Sequence, residues 1–124
     1  MTTAIDIPKL DTVSIEMLSN HAVKLKGTIT KKEPAQDLEA FLRAVHNEAT
    51  TRRTPEVVVD VSELTFVNSS AIRLFVDWAT WLKNEKGHRY KLRFRTSSRI
   101  TWQKTSFAAL LVLMKDVMLV ERVD

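Results

Sequence analysis

The chain contains no cysteine, which excludes disulfides, thiolate metal ligands and cysteine nucleophiles. Its only glycines are Gly27 and Gly87, too few for a GxGxxG or Walker-type phosphate loop. No apolar run reaches the length of a membrane span. The opening residues, Met1-Thr2-Thr3-Ala4-Ile5-Asp6, lack a basic stretch followed by an apolar one, so no secretory signal is expected and the expected compartment is the cytoplasm. The histidines His21, His46 and His88 have no metal-ligand spacing and read as solvated side chains. No nucleophile stands beside a base and no close pair of carboxylates suggests acid–base work. The expectation is therefore no enzyme, no metal and no cofactor.

What remains is an ordinary globular composition: 124 residues, 44% hydrophobic and 27% charged, enough for one domain with its own core. The net charge of +4 is unevenly spread. Residues 1–60 carry 8 basic and 9 acidic side chains, residues 61–124 carry 11 and 6. A mildly basic half raises the question of a nucleic-acid partner.

Residues 1–11, with Pro8, read as an irregular arm, and residues 12–124 as the domain. Val13, Ile15 and Met17 alternate with polar residues, as do Val23, Leu25 and Gly27 after a turn at Asn20-His21, giving two half-buried strands. Leu38, Phe41, Leu42 and Val45 recur at helical spacing, so residues 34–49 form an amphipathic helix with Pro34 in its first turn. Val57-Val58-Val59 is a β-branched run suited to a strand buried on both faces, ending near Val61. Residues 62–68 read as a loop. A helix over 69–85 is closed by Gly87, a strand over 90–95 follows, then a helix over 101–114 and a strand over 118–123. The order β-β-α-β-α-β-α-β implies an α/β fold: a mostly parallel sheet with an antiparallel N-terminal hairpin and helices mainly on one face.

The most informative stretch runs from Val57 to Leu74. A buried strand ends in Asp60, and eight residues later Asn68-Ser69-Ser70 opens a helix. The small polar cluster reads in the first place as a helix cap. It also sets two hydroxyls at the C-terminal edge of a parallel sheet, where ligands and partners dock in such folds. This strand–loop–helix resembles the signature of STAS domains, the fold of anti-sigma factor antagonists and of the cytoplasmic part of sulphate transporters. Asp60 matches the family's strand acid and Phe66-Val67 its apolar pair. Ser69 matches the hydroxyl that a partner kinase phosphorylates in the antagonists, with Ser70 its neighbour, and Leu25-Lys26-Gly27 resembles the family's second strand. The resemblance extends from about Thr12 to Val123. Two motif positions depart from it. Asn68 stands where the family has Asp, keeping the cap but not the charge, and Ala71 replaces the usual Gly.

The resemblance implies a non-enzymatic signalling or docking module. It would bind an anti-sigma-type serine kinase, be released by phosphorylation at Ser69 (alternatively Ser70), and be reset by a phosphatase. The expected partner surface comprises Asn68, Ser69, Ser70, Ala71, Arg73, Leu74, Asp77 and Trp81. Helical geometry sets Ser70, Leu74, Asp77 and Trp81 in a line along one flank, with Phe75, Trp78, Ala79 and Leu82 in the core. Trp81 reads either as an interface anchor or as packed under the third helix. Asp60 is expected to be structural, satisfying loop amides. An alternative from the same resemblance is a constitutive adaptor subunit of an ABC-type transport ATPase or of a signalling assembly. A further alternative uses the basic face: Lys91, Arg93 and Arg95 share one strand face, Lys24 and Lys26 another, and such a face could hold nucleic acid or a nucleotide. Against DNA, Tyr90 and Phe94 alternate away from the charges, leaving no stacking platform.

Overall fold

The computed structural model describes residues 5, 7, 12–19, 21–30 and 33–124. The expected arm over residues 1–11 lies outside the described residues apart from Ile5 and Ile7, and so does Asn20 of the first turn. The elements are β1 (Val13–Ser19), β2 (Ala22–Ile29), α1 (Glu33–Thr51), β3 (Glu56–Val67), α2 (Ser69–Lys83), β4 (Lys91–Thr96), α3 (Thr101–Met114) and β5 (Met118–Arg122). The strands form one sheet in the order β1-β2-β3-β4-β5, antiparallel between β1 and β2 and parallel elsewhere. Each crossover advances the sheet in the same direction, so right-handed connections put all three helices on one face. This is the expected architecture.

Strand alternation sends Val13, Val23, Leu25, Val57, Val59, Leu92, Phe94 and Met118 under the helices, all buried. An aromatic group anchors the centre: the Phe94 and Phe107 rings lie 4.6 Å apart, and Phe75 meets Phe94 edge-on at 5.5 Å. Such pairs contribute about 0.5–1.5 kcal/mol each beyond the area they bury. Gly27 has φ +116°, and a Cβ there would run into the Thr12 carbonyl, so the hairpin needs glycine at this position.

Two boundaries differ from those expected. The segment 62–68 is not a loop: β3 continues to Val67, its register with β2 stepping at Lys24/Lys26 and again at Gly27/Thr28. These irregularities break the alternation, which is why Ser62, Glu63 and Thr65 look loop-like in sequence. Helix α2 ends at Lys83 and is closed by Asn84, whose N–H donates to the Thr80 carbonyl at 3.0 Å, rather than by Gly87. Gly87 lies in the following turn, where its N–H donates to the Glu85 carboxylate at 2.9 Å.

The sheet divides at its C-terminal end. β4 pairs with β3 only from Glu56 to Asp60, while β2 follows β3 to Val67. The carbonyls of Val61 and Leu64 thus lose β4 as a partner. Fully buried Gln103 in the first turn of α3 takes its place. Its Nε2 donates to both carbonyls, and its Oε1 accepts the Ser97 N–H at 2.9 Å. Trp102 adds a second bond, from Nε1 to the Leu64 carbonyl at 2.9 Å.

Candidate functional site

The β3–α2 junction carries the motif. Asn68 is the N-cap of α2: its backbone is extended (φ −84°, ψ 174°) and its side chain accepts the Ala71 N–H at 3.0 Å. Its own N–H donates to the Ile29 carbonyl at 2.8 Å, which fixes the junction to the end of β2. Because Asn68 does the capping, the hydroxyls of Ser69 and Ser70 stay out of it, and neither makes a hydrogen bond among the described residues. Ser69 is exposed and Ser70 half-buried. Further along α2, Arg73 is exposed and Asp77 half-buried; they are the only charged residues from Asn68 to Trp81.

Two of the expected surface positions are corrected. Ala71 is fully buried and Leu74 is 6% exposed, so their side chains belong to the core and cannot meet a partner docked on this end. The reason is that α2 lies between α1 and α3 and buries a wide arc of its circumference: Ala71, Leu74, Phe75, Trp78, Ala79 and Leu82. Trp81 is half-buried, but against α1 rather than under α3. The Arg43 guanidinium stacks over its ring at 4.0 Å, and the His46 ring lies 6.2 Å away. Asp60 lies within β3 rather than at its end. One carboxylate oxygen accepts both the Ser62 N–H (2.9 Å) and the Ser62 hydroxyl (2.6 Å), and the other faces Arg95 at 3.7 Å.

The dividing sheet also opens a cleft that was not legible in the sequence. It has a volume of about 1150 Å³ and is lined by Lys26, Thr65, Phe66, Arg99, Ile100 and Trp102 among others. Phe66, three residues before Ser69, is 50% exposed at its wall. Its signal in sequence was faint, because an apolar pair beside a helix start reads equally well as core.

The second residue missed is His46, which is buried rather than solvated. A single run of donors accounts for its surroundings. Trp78 Nε1–H donates to the Tyr90 hydroxyl (2.6 Å), the Tyr90 O–H donates to His46 Nδ1 (2.8 Å), and His46 Nε2–H donates to Glu85 (3.2 Å). This run requires a neutral imidazole protonated at Nε2. Burial pushes the His46 pKa below its ordinary value, against the pull of Glu85, and also raises that of the Tyr90 phenol. The partners come from α1, α2 and the connection between α2 and β4, so no local pattern announces them.

The open sheet face brings Lys24, Lys26, Lys91, Arg93 and Arg95 together, as alternation predicts, but the face is not net basic. Glu16, Glu56, Asp60, Glu63 and Glu121 share it, five carboxylates to five cations. Arg93 binds Glu56 through two bonds, at 2.9 and 3.0 Å, and Glu56 raises its pKa further. Glu63 pairs with Lys24 and Lys26, and its pKa is held below the usual carboxylate value, chiefly by Lys24. Arg95 faces Asp60 and Glu121, both at 3.7 Å. Lys91 reaches the Asp116 carbonyl. The expected basic face is thus corrected to a neutral lattice of ion pairs, which removes the electrostatic ground for a nucleic-acid interface. Among the described residues no cluster of histidine and carboxylate groups could hold a metal, and no helix is long and apolar enough to cross a membrane.

No family model matches the chain, and neither does any curated protein. Among solved structures, the chain is similar to the crystal structure of an anti-sigma factor antagonist from Mycobacterium paratuberculosis. The match has a TM-score of 0.56 and 19% sequence identity, and it covers 96% of this chain and 90% of that one. At this identity the likeness shows the fold.

Proposed function

On this STAS-like fold, shared with an anti-sigma factor antagonist, we propose that the chain is a non-enzymatic switch module. Unmodified, it binds a serine kinase of the anti-sigma type through the end of the sheet where α2 begins. The contact surface is Asn68, Ser69, Ser70, Arg73 and Asp77, extended by Phe66 at the adjoining cleft. Phosphorylation of Ser69 releases the partner, and a phosphatase restores binding.

The observation that carries this reading is the state of Ser69. It is the first residue of α2, exposed, and free of capping duty because Asn68 performs it. A phosphate there adds about −1.5 to −2 charge at a helix N-terminus, where backbone N–H groups tolerate it. The segment from Asn68 to Trp81 contains only Arg73 and Asp77 as charged residues, so the added charge transforms the local potential.

The test is to recover the chain from its native host under several growth conditions, map its phosphopeptides and identify the proteins that copurify. The expected result is a phosphate on Ser69 in part of the population and a serine kinase in the unphosphorylated fraction. Unmodified Ser69 and Ser70 under every condition, with an ABC-type ATPase subunit copurifying, would overturn the switch in favour of the constitutive adaptor.

A further inference from the structure

A second cavity lies between α3 and the edge strand β5. Among lining residues it shares only Ser97 with the cleft beside Phe66. Its volume is about 340 Å³, within the range of small-ligand pockets, which begins at roughly 300 Å³. The sequence dictates its two-part lining. On α3, Lys104, Phe107 and Leu111 fall on one stripe, at i, i+3 and i+7. On β5, Val120 and Arg122 alternate onto the side of the sheet that the helices cover. Phe107 is buried, and Leu111 and Val120 are half-buried, so these three form an apolar floor. Lys104 and Arg122 are exposed and stand at the rim.

No carboxylate lines this cavity, and neither cation has an ion-pair partner among the described residues. The neighbouring acids are engaged elsewhere. Glu121 alternates to the open face, where it meets Arg93 and Arg95. Asp124 accepts the Ser97 hydroxyl at 2.7 Å and the Ser98 N–H at 3.0 Å, and faces Arg99 at 3.8 Å. The chain thus gives Lys24, Arg93 and Arg95 carboxylate partners on one side of the sheet and leaves two cations without a counter-ion over an apolar floor on the other.

We propose that this cavity binds a small amphipathic anion: an apolar chain or ring ending in a carboxylate. The body lies on Phe107, Leu111 and Val120, and the head sits between Lys104 and Arg122, whose guanidinium fork matches a carboxylate. Each half of the site sets a requirement. An inorganic anion gains nothing from the floor, and a neutral hydrophobe gains nothing from the cations. The site is independent of any modification of Ser69.

The test follows the backbone amides of the intact chain by NMR during titration with octanoate and naphthoate, a chain and a ring with the same head. Acetate and octanol serve as the head and the body alone. At least one of the two acids should saturate shifts at Lys104, Leu111, Val120 and Arg122, and octanoate should bind at least roughly tenfold more tightly than acetate or octanol if the chain is the better fit; for naphthoate the comparison is with acetate and naphthalene. Joint replacement of Lys104→Gln and Arg122→Gln should cost the acid at least roughly tenfold in affinity. The melting temperature should not change, because both side chains are exposed. Absence of shifts at these residues with both acids would overturn the proposal. So would equal binding of the neutral body, undiminished affinity in the double variant, or shifts confined to Phe66, Arg99 and Trp102, which would put the anion in the larger cleft.

Discussion

The open face of the sheet and the end at which α2 begins differ in how they use charge. On the open face, five cations stand among five carboxylates, so the positive excess that the sequence concentrates in its second half lies elsewhere on the surface. At the α2 end, charged groups are few, Ser69 is exposed, and Phe66 is half out of water. The lesson is that a count of lysines and arginines says little about a surface until the carboxylates across the strands are placed. A region poor in charge is also better suited to a charge switch than a crowded one.

The largest effect separating the two regions should come from Gln103, which holds the divided sheet together beneath the α2 end. Gln103→Leu leaves the Val61 and Leu64 carbonyls and the Ser97 N–H without its amide, and the expected loss is about 3 kcal/mol by urea or thermal unfolding. A loss below 0.5 kcal/mol would mean that the junction is not organised by this side chain.

Phe66→Ala comes next. The ring is half exposed, so stability should change by only about 0.5 kcal/mol, while partner affinity falls about tenfold or more. Equal affinity of the two chains in titration calorimetry would remove the cleft from the contact surface.

Acid should then act through His46. Its folded pKa is lowered by burial, so the neutral form is favoured in the native state and the unfolded chain takes up the proton first. Stability from this group is complete above the ordinary value of 6.5 and is lost as the pH falls from 6.5 through the lowered native value. His46→Gln should flatten this part of the stability–pH curve, which thermal melts across the interval would show.

The smallest effect belongs to the open face. Arg93→Ala removes a partly exposed pair with Glu56 and should cost no more than about 1 kcal/mol. Replacing Lys91, Arg93 and Arg95 together by alanine should leave salt-dependent retention on a nucleic-acid column unchanged. A clear drop would restore the nucleic-acid reading.

Much of the fold was legible because periodicity carries it. The three helices, the parallel order and the first and last residues of α3 all follow from apolar spacing. The end of β3 was hidden because its register steps interrupt alternation and its residues are polar. Burial of Ala71 and Leu74 was hidden because a helix flanked on both sides buries more than one stripe. His46 was hidden because its partners lie roughly forty residues away in sequence. At the candidate site, Asn68, Ser69 and Ser70 stood out through cap chemistry and resemblance, whereas Phe66 needed the course of the strand to be known.

The most direct measurement compares two variants against the same kinase, captured by the unphosphorylated chain. Ser69→Asp places charge at the α2 end; the Lys91, Arg93 and Arg95 triple alanine variant removes it from the sheet face. The expected result is that Ser69→Asp loses at least roughly tenfold in affinity, about 1.4 kcal/mol, while the triple variant binds as the wild type does. Full binding by Ser69→Asp together with loss in the triple variant would contradict it.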